Sequence, residues 1–369
     1  MSDYDEVDTV VVGGGVVGMA IAYGLARAGD SVRVIDEGDD ALRAARGNFG
    51  LVWVQGKGFG SSKYAQWTRA SAANWPAFAA ELESATGINL ELSQHGGLML
   101  CLTDTELARQ VEILESIGNA VTGDYPFEVI GQRELRDRVP WIGAAVVGAT
   151  YCPMDGHVSP LRLLRALVQG FEGFGGQFVP GQTVTQIEHA NDRFLVQVGG
   201  ASHRSRRLVL AAGLGNRALA PLVGLDAPVE PNRGQIIVTE RLQPFLELPT
   251  GQIRQTGEGV VQIGDSKEDV GYDDRTTTDE LSRIAGRALK CFPLLSDVNV
   301  VRSWGALRVM TPDGLPIYQT SDRCPGAFLV TCHSGITLAA QHAGPIADWI
   351  RGGSEPHEIV EFKAERFHV

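Results

Sequence analysis

The sequence predicts an α/β fold in which a parallel-sheet domain is interleaved with a second, α+β domain built on an antiparallel sheet. Three short apolar runs support the parallel sheet, at residues 7–12, 207–210 and 327–331. Each run ends in a small-residue turn and leads into a segment suited to a helix, which is typical of strands buried in a parallel sheet. Because the runs lie at both ends and in the middle of the chain, the two domains must be interleaved.

The intervening segments favour an antiparallel sheet. Strand candidates at 234–239, 259–264 and 298–302 are bounded by turns, and residues 90–140 mix short strands with helices such as 104–117. We therefore predict a discontinuous first domain and a second domain in two pieces. The first comprises residues 1–84, 145–222 and 308–369, and the second comprises residues 85–144 and 223–307.

Composition excludes several classes of protein. The net charge of −12 gives an acidic surface that repels phosphate backbones, so we expect no nucleic-acid partner. No apolar run reaches about 18 residues, and residues 1–6 are acidic, unlike a signal peptide, so we expect no membrane span. The five cysteines are scattered without a CxxC pair. Their spacing argues against a metal site or a disulfide framework and favours the cytoplasm.

A glycine fingerprint follows the first strand. Gly13 allows a tight turn, Gly15 allows the backbone to approach a pyrophosphate, and Gly18 allows the following helix to pack closely on the strand. Asp36 closes the second strand, 31–35, where its carboxylate can accept hydrogen bonds from a ribose diol. The pattern predicts a Rossmann-like dinucleotide site, with NADP disfavoured by Asp36; a glycine turn without a ligand is the alternative. The fingerprint does not distinguish FAD from NAD.

Longer motifs distinguish FAD from NAD. RGNFG at 46–50, LVLAAG at 208–213, TPDGLPI at 311–317 and HSGITL at 333–338 occur in this order. In these motifs the chain resembles the FAD-dependent D-amino acid oxidase superfamily, in its glycine oxidase and sarcosine oxidase-like branch. The segments 233–241, 264–273 and 304–308 are similar to the flavin subunits of hydrogen cyanide synthase, opine dehydrogenase and D-hydroxyproline dehydrogenase.

The resemblance implies one FAD, with an FAD-binding first domain and a substrate-binding second domain. Sarcosine oxidases tether FAD through a cysteine before the motif that begins here at Met310, and residues 306–309 contain none, so we expect non-covalent FAD. The cofactor contacts that fingerprint and resemblance together predict are Gly13, Gly15, Val16, Val17, Gly18, Asp36, Glu37, Arg46, Gly47, Asn48, Gly50, Val184, Ala211, Ala212, Gly213, Gly335, Ile336, Thr337 and Leu338.

The resemblance also implies a reaction. Family members oxidise a C–N bond next to a carboxylate by hydride transfer from Cα to flavin N5, and the imine hydrolyses afterwards. Arg308 matches the family's carboxylate-binding arginine, and its planar fork suits that ligand; the alternative is a structural arginine paired with an acid. His333 stands near the place where glycine oxidases have an arginine. It either hydrogen-bonds substrate or flavin, or caps a helix beginning near Gly335.

The sequence defines the electron acceptor and the substrate less closely. Gln262 occupies the place of the oxygen-activating lysine of monomeric sarcosine oxidases, which favours a dehydrogenase over an oxidase. Isolated cysteines cannot hold an iron–sulfur cluster, so we expect separate small ferredoxin-like subunits. The expected substrate is a D-amino, D-imino (D-hydroxyproline-like) or opine-type acid. The alternatives are a stand-alone oxidase that produces hydrogen peroxide and a non-catalytic, flavin-bearing structural subunit.

Overall fold

The computed structural model describes residues 6–38 and 44–368. The expectation that the acidic N-terminus is unlike a signal peptide rests mainly on residues 1–5, which lie outside the described residues. The strands are β1 (Val7–Val12), β2 (Val32–Ile35), β3 (Leu51–Val52), β4 (Gly97–Cys101), β5 (Glu128–Gly131), β6 (Gly148–Cys152), β7 (Gly156–His157), β8 (Gln177–Val179), β9 (Val184–Ala190), β10 (Arg193–Val198), β11 (Ala201–Leu210), β12 (Glu230–Arg241), β13 (Ile253–Gln255), β14 (Val260–Ile263), β15 (Val300–Met310), β16 (Ile317–Thr320) and β17 (Ala327–Thr331).

The helices alternate with these strands in the first domain and cover the sheet in the second. They are α1 (Val16–Arg27), α2 (Ser62–Thr86), α3 (Asp104–Ala120), α4 (Gln132–Arg138), α5 (Pro160–Gly173), α6 (Asn216–Leu219), α7 (Thr278–Cys291), α8 (Ala339–Gln341) and α9 (Ala347–Ile350). Within residues 6–38 and 44–368, none of the helices combines the length and the apolar character needed to cross a bilayer.

The predicted parallel sheet is present, in the strand order β16-β17-β11-β1-β2-β8. Strands β8, β2, β1, β11 and β17 are parallel, and β16 adds antiparallel to β17. The last residue of β1, Val12, pairs with the last residues of both β2 and β11. The residues that follow these strands, Gly13, Asp36 and Ala211, therefore meet at one edge of the sheet, where ligands of such sheets bind.

Two glycines allow α1 to begin so close to this edge. Gly13 has φ +111°, and a Cβ there would lie 2.4 Å from the carbonyl oxygen of Ala211. A Cβ on Gly18 would lie 1.9 Å from the carbonyl oxygen of Gly13. Only glycine fits at either position, so the structure confirms the tight turn and the close packing that the fingerprint predicts.

The second domain contains the predicted antiparallel sheet, in the order β13-β14-β12-β15, and a three-stranded sheet, β4-β6-β5. Successive side chains of a strand point to opposite faces. Ile237 and Ile263 pack in one core cluster with Ile284 of α7. On the other face, Gly264 lies next to Ile236 and against the ring of Phe49 in the predicted first domain. This second face therefore packs against the segment between β2 and β3.

Strand β15 is longer than predicted. The sequence suggests a strand at 298–302, but residues 300–310 pair with β12 almost throughout, because β12 itself extends to Glu230. The predicted boundary at 307/308 consequently falls inside β15. Likewise, β6 lies beyond the predicted boundary at 144/145 and pairs with β4 and β5. The division into domains stays a prediction.

Candidate active site

A cavity of about 900 Å³ opens at the carboxyl edge of the parallel sheet. The predicted site residues that border it are Gly13, Gly15, Val16, Val17, Asp36, Glu37, Asn48, Val184, Ala211, Ala212, Gly213, His333, Gly335 and Ile336. The space suits a dinucleotide at the glycine turn, because a Cβ on Gly15 would meet no protein atom closer than 3.9 Å. A pyrophosphate can therefore approach this backbone and the free amides at the start of α1.

Asp36 shapes the turn as well as bordering the cavity. Its carboxylate accepts hydrogen bonds from the backbone N–H of Gly14 at 2.7 Å and of Gly38 at 2.8 Å. Each carboxylate oxygen retains a further lone pair, so contact with a ribose diol remains chemically available. Glu37 borders the cavity next to it. The ribose contact stays a prediction for both acids.

Six predicted cofactor residues stand outside the residues that border the cavity. They are Gly18, Arg46, Gly47, Gly50, Thr337 and Leu338. Gly47 accepts a hydrogen bond from the Trp304 indole at 3.2 Å, and the Thr337 hydroxyl accepts one from the backbone N–H of Trp53 at 3.1 Å. These contacts give the segments a packing role, and their contact with FAD stays a prediction.

The helix predicted to begin near Gly335 begins at Ala339 instead. The carbonyl of Thr337 accepts hydrogen bonds from the Ser71 hydroxyl at 2.6 Å and from the Trp75 indole at 3.0 Å. Side chains of α2 thus hold this carbonyl, and residues 335–338 form turns rather than regular helix. His333 stands well before the helix and borders the cavity instead.

Arg308 stands in β15 between Leu307 and Val309, which border the cavity, but it does not border the cavity itself. Its side chain points to the opposite face of the strand, where the guanidinium lies over Gly234. Its guanidinium donates from Nη2 to Asp265 Oδ2 at 2.7 Å, and from Nη1 to Asn232 Oδ1 at 3.0 Å. Both partners of the ion pair are partly exposed. The arginine is therefore paired with an acid in the free protein, but the pair is open to exchange with a carboxylate ligand.

Positive charge surrounds His333. Burial, together with the charges of Lys57, Arg308 and Lys267, holds the pKa of His333 well below its usual range. Its imidazole is therefore neutral at physiological pH. Nδ1 lies 3.5 Å from the hydroxyl of Ser334. A neutral ring bordering the cavity can offer a hydrogen bond to a ligand without adding a charge.

Lys57 was not predicted from the sequence. Its ammonium donates to Ser334 Oγ at 2.6 Å, and the Tyr64 hydroxyl donates to the same oxygen at 3.0 Å. Burial lowers the pKa of Lys57 to about 8, with the charges of Lys267 and Arg308 acting in the same direction. Lys57 and Ser334 lie far apart in the chain, so no local motif could have linked them.

A buried acid holds the loop that carries Lys57. Asp155 is completely buried and accepts hydrogen bonds from the backbone N–H of Val54 at 2.5 Å and the side-chain amide of Gln55 at 2.8 Å. Burial raises the pKa of Asp155 to about 7. Two further residues that were not predicted from the sequence, Tyr272 and Asp274, border the cavity.

The side chain of Gln262 is hydrogen-bonded to a buried cation, Arg254. Its side-chain oxygen accepts a hydrogen bond from Arg254 Nε at 3.0 Å, and Arg254 Nη1 donates to His157 Nδ1 at 3.0 Å. Arg254 is 2% exposed, and burial lowers its pKa to about 10. It still carries its charge at neutral pH, so the surroundings of Gln262 are more positive than glutamine alone suggests; neither residue borders the cavity.

Cys332 also borders the cavity. Burial raises the pKa of its thiol to about 12, so the nucleophilic thiolate is almost absent at neutral pH. Non-covalent binding of FAD stays a prediction, and the protonated thiol supports it. In the part of the chain that the structure describes, no group of three or more His, Cys, Asp or Glu side chains is arranged to hold a metal ion.

Comparisons with known proteins agree with this architecture. A family model described as FAD dependent oxidoreductase matches residues 8–349. The chain is 47% identical over 365 residues to an opine oxidase subunit of Agrobacterium tumefaciens, covering 99% of this chain and 98% of that protein. It is 28% identical over 407 residues to the hydrogen cyanide synthase subunit HcnC of Pseudomonas aeruginosa, covering 98% and 96%.

A solved structure shares the fold. The crystal structure of glycine oxidase from Geobacillus kaustophilus superposes with a TM-score of 0.89 at 26% identity, covering 97% of this chain and 98% of that one. The similarity includes both the parallel and the antiparallel sheets, because it extends over nearly the whole chain. It confirms the predicted α/β fold.

Proposed function

Because this chain belongs to the FAD-dependent oxidoreductase family, as its motifs predicted, we propose that it oxidises the C–N bond of an opine-type acid as the flavin subunit of a larger enzyme. FAD is the cofactor, and the cavity at the glycine turn fits it. The 47% identity to the opine oxidase subunit of Agrobacterium tumefaciens supports the substrate class. That relative and HcnC are both named as subunits, which supports the multi-subunit organisation.

One observation carries the proposal: an arginine fork in an exchangeable ion pair lies close enough to His333 of the cavity wall for its charge to lower the pKa of that ring. Arg308 can release Asp265 and bind a substrate carboxylate through two parallel hydrogen bonds. A non-catalytic subunit has no need of such an anchor. The neutral His333 ring adds a hydrogen-bonding group at the same wall.

The residues of the chain position the substrate, and the bound cofactor takes the electrons. When bound, FAD supplies the acceptor for the hydrogen and the electron pair that leave the substrate carbon. Arg308 fixes the carboxylate next to that carbon. The oxidised substrate is an imine, which takes up water and separates into an oxo acid and an amine.

The electrons must leave through another polypeptide if this is a dehydrogenase subunit. All five cysteines are buried and unpaired, and no three of them are grouped to hold a metal centre in the described residues. We propose that small ferredoxin-like subunits bind the chain and receive the electrons. Turnover with these subunits should exceed turnover with oxygen.

A stand-alone oxidase remains a second candidate, and one observation favours it. Arg254 places a buried positive charge behind Gln262. A fixed cation near the flavin would stabilise the negative charge that develops when oxygen is reduced. Stopped-flow reoxidation of the substrate-reduced flavin by oxygen or by a dye decides between the two. Reoxidation by oxygen as fast as dye-coupled turnover would establish an oxidase.

Flavin reduction across a substrate panel tests the proposal. The purified holoprotein is mixed anaerobically with opines, D-hydroxyproline, D-amino acids, glycine and sarcosine, and the flavin absorbance is followed. We expect the fastest reduction with an opine. Faster reduction by glycine or a simple D-amino acid would exclude the opine-type assignment, and no reduction by any compound would favour a structural subunit.

A further inference from the structure

Lys57 carries an unpaired charge beside the candidate site. Its ammonium makes one hydrogen bond, to Ser334, and forms no ion pair among the residues that the structure describes. An ammonium has three donors, so two remain for another partner. The side chain is partly buried, and burying a charge without a counter-charge is costly unless a ligand compensates it.

The surroundings add to this positive charge. The positive charges of Arg308 and Lys267 lower the pKa of Lys57, and the negative charge of Asp265 raises it. Asp265 is already bound to Arg308. The neighbouring Cys332 thiol and Tyr64 phenol are protonated and His333 is neutral, so none of them offsets the excess. The cluster therefore attracts an anion with more than one negative charge.

The two anchors stand on different parts of the molecule. Arg308 is fixed through Asn232 and Asp265 of the second domain. Lys57 is fixed through Ser334, which also accepts a hydrogen bond from Tyr64. The charges of Lys57 and Arg308 both lower the pKa of His333, so both cations lie near this one ring at the cavity. A ligand with two separate carboxylates offers a partner to each cation, whereas a monocarboxylate offers a partner to one.

An opine is a secondary amine whose nitrogen joins two carbons that each carry a carboxylate. We propose that Lys57 binds the second carboxylate of such a substrate while Arg308 binds the first. Lys57 is then a specificity-determining residue that favours dicarboxylic secondary amines over monocarboxylic amino acids. This inference rests on the proposed function for the identity of the substrate, but the anchor itself can be tested separately.

Matched ligands test the anchor on the FAD-loaded protein. The first pair is an opine and the analogue in which one carboxylate is a neutral amide, compared by anaerobic flavin reduction. The second pair is diglycolate and its monoamide, which lack an oxidisable nitrogen and are compared by titration calorimetry. The wild type should bind each dicarboxylate about 10- to 100-fold more tightly than its partner, as a hydrogen bond to a charged group implies.

Substitutions at Lys57 should remove this preference. Lys57→Met should bring the two affinities of each pair within about threefold, and Lys57→Arg should retain part of the preference because it keeps the charge. Lys57→Gln is the second neutral variant if the methionine variant does not fold. Lys290→Met, at an exposed lysine of α7, is the control and should keep the wild-type ratio.

The outcomes separate the two claims. An unchanged preference in both neutral variants overturns the role of Lys57, and so does a wild type that binds diglycolate no better than its monoamide. If diglycolate binding depends on Lys57 but no opine reduces the flavin, the anchor stands and the proposed function fails.

Discussion

If Arg308 anchors a substrate carboxylate, Asp265 competes with the substrate for the same guanidinium. Its Oδ2 accepts from Arg308 Nη2 at 2.7 Å, while Nη1 is held by Asn232 Oδ1 at 3.0 Å and the backbone carbonyl of Arg233 at 3.2 Å. Asp265→Asn removes the charge and keeps the size of the side chain. We expect it to free one side of the fork and to tighten substrate binding.

The exposure of the Arg308–Asp265 ion pair determines how much the substrate Kd should change. The side chains of Arg308 and Asp265 are 19% and 34% exposed. Such partly exposed pairs contribute about 0–1 kcal/mol, so Asp265→Asn should lower the substrate Kd by up to about fivefold. Arg308→Ala removes hydrogen bonds to a charged group, which contribute about 1.5–3 kcal/mol. It should raise Kd by about 10- to 100-fold.

Anaerobic stopped-flow reduction of the flavin at increasing substrate concentration gives Kd for each variant. The flavin content of each variant should match the wild type, and Asp297→Asn, at an exposed acid, is the control for charge removal. Weaker binding by Asp265→Asn would mean that Asp265 itself recognises the substrate. Unchanged binding by Arg308→Ala would refute the anchor and leave the ion pair a structural role.

Three further predictions concern the cofactor and pH. Gly18→Ala should purify with little FAD, because the new Cβ would lie 1.9 Å from the Gly13 carbonyl oxygen. The control Gly200→Ala should keep its FAD, because a Cβ there meets open space. A Gly18→Ala protein fully loaded with FAD would contradict the packing argument. Acid denaturation should release all flavin, since burial raises the pKa of the Cys332 thiol to about 12; colour that stays with the polypeptide would indicate a covalent bond. Lys57 is charged below its pKa of about 8 and neutral above it, so binding of the dicarboxylate should weaken between about pH 7 and 9 in the wild type. Lys57→Met should lack this dependence, and the same pH profile in both proteins would rule out Lys57 as its source.

Local patterns predicted the nucleotide edge of the fold well. The β1 run, the Gly13 turn and the start of α1 follow from residues close in sequence, and the structure confirms all three. A parallel sheet brings the ends of its strands to one edge, so Ala211 and Asp36 could be placed near the turn without knowing any long-range contact.

The polar contacts of the site could not be predicted in the same way. Arg308 of β15 pairs with Asp265 in the loop after β14, and Arg254 of β13 bonds to Gln262 of β14. They depend on strand register and on side-chain direction, which composition does not specify. Lys57 reaches the site through a loop that the buried Asp155 holds, and neither residue belongs to a motif that signals this contact.

A single anaerobic turnover tests the central claim most directly. The FAD-loaded protein is mixed with a slight excess of opine, and both the flavin spectrum and the released products are quantified. Oxidation of the C–N bond predicts one equivalent of oxo acid and one of amino acid for each flavin reduced, with the yield lost at the same opine concentration in Arg308→Ala. Flavin that stays oxidised, or flavin reduction without a carbonyl product, would contradict the proposed reaction.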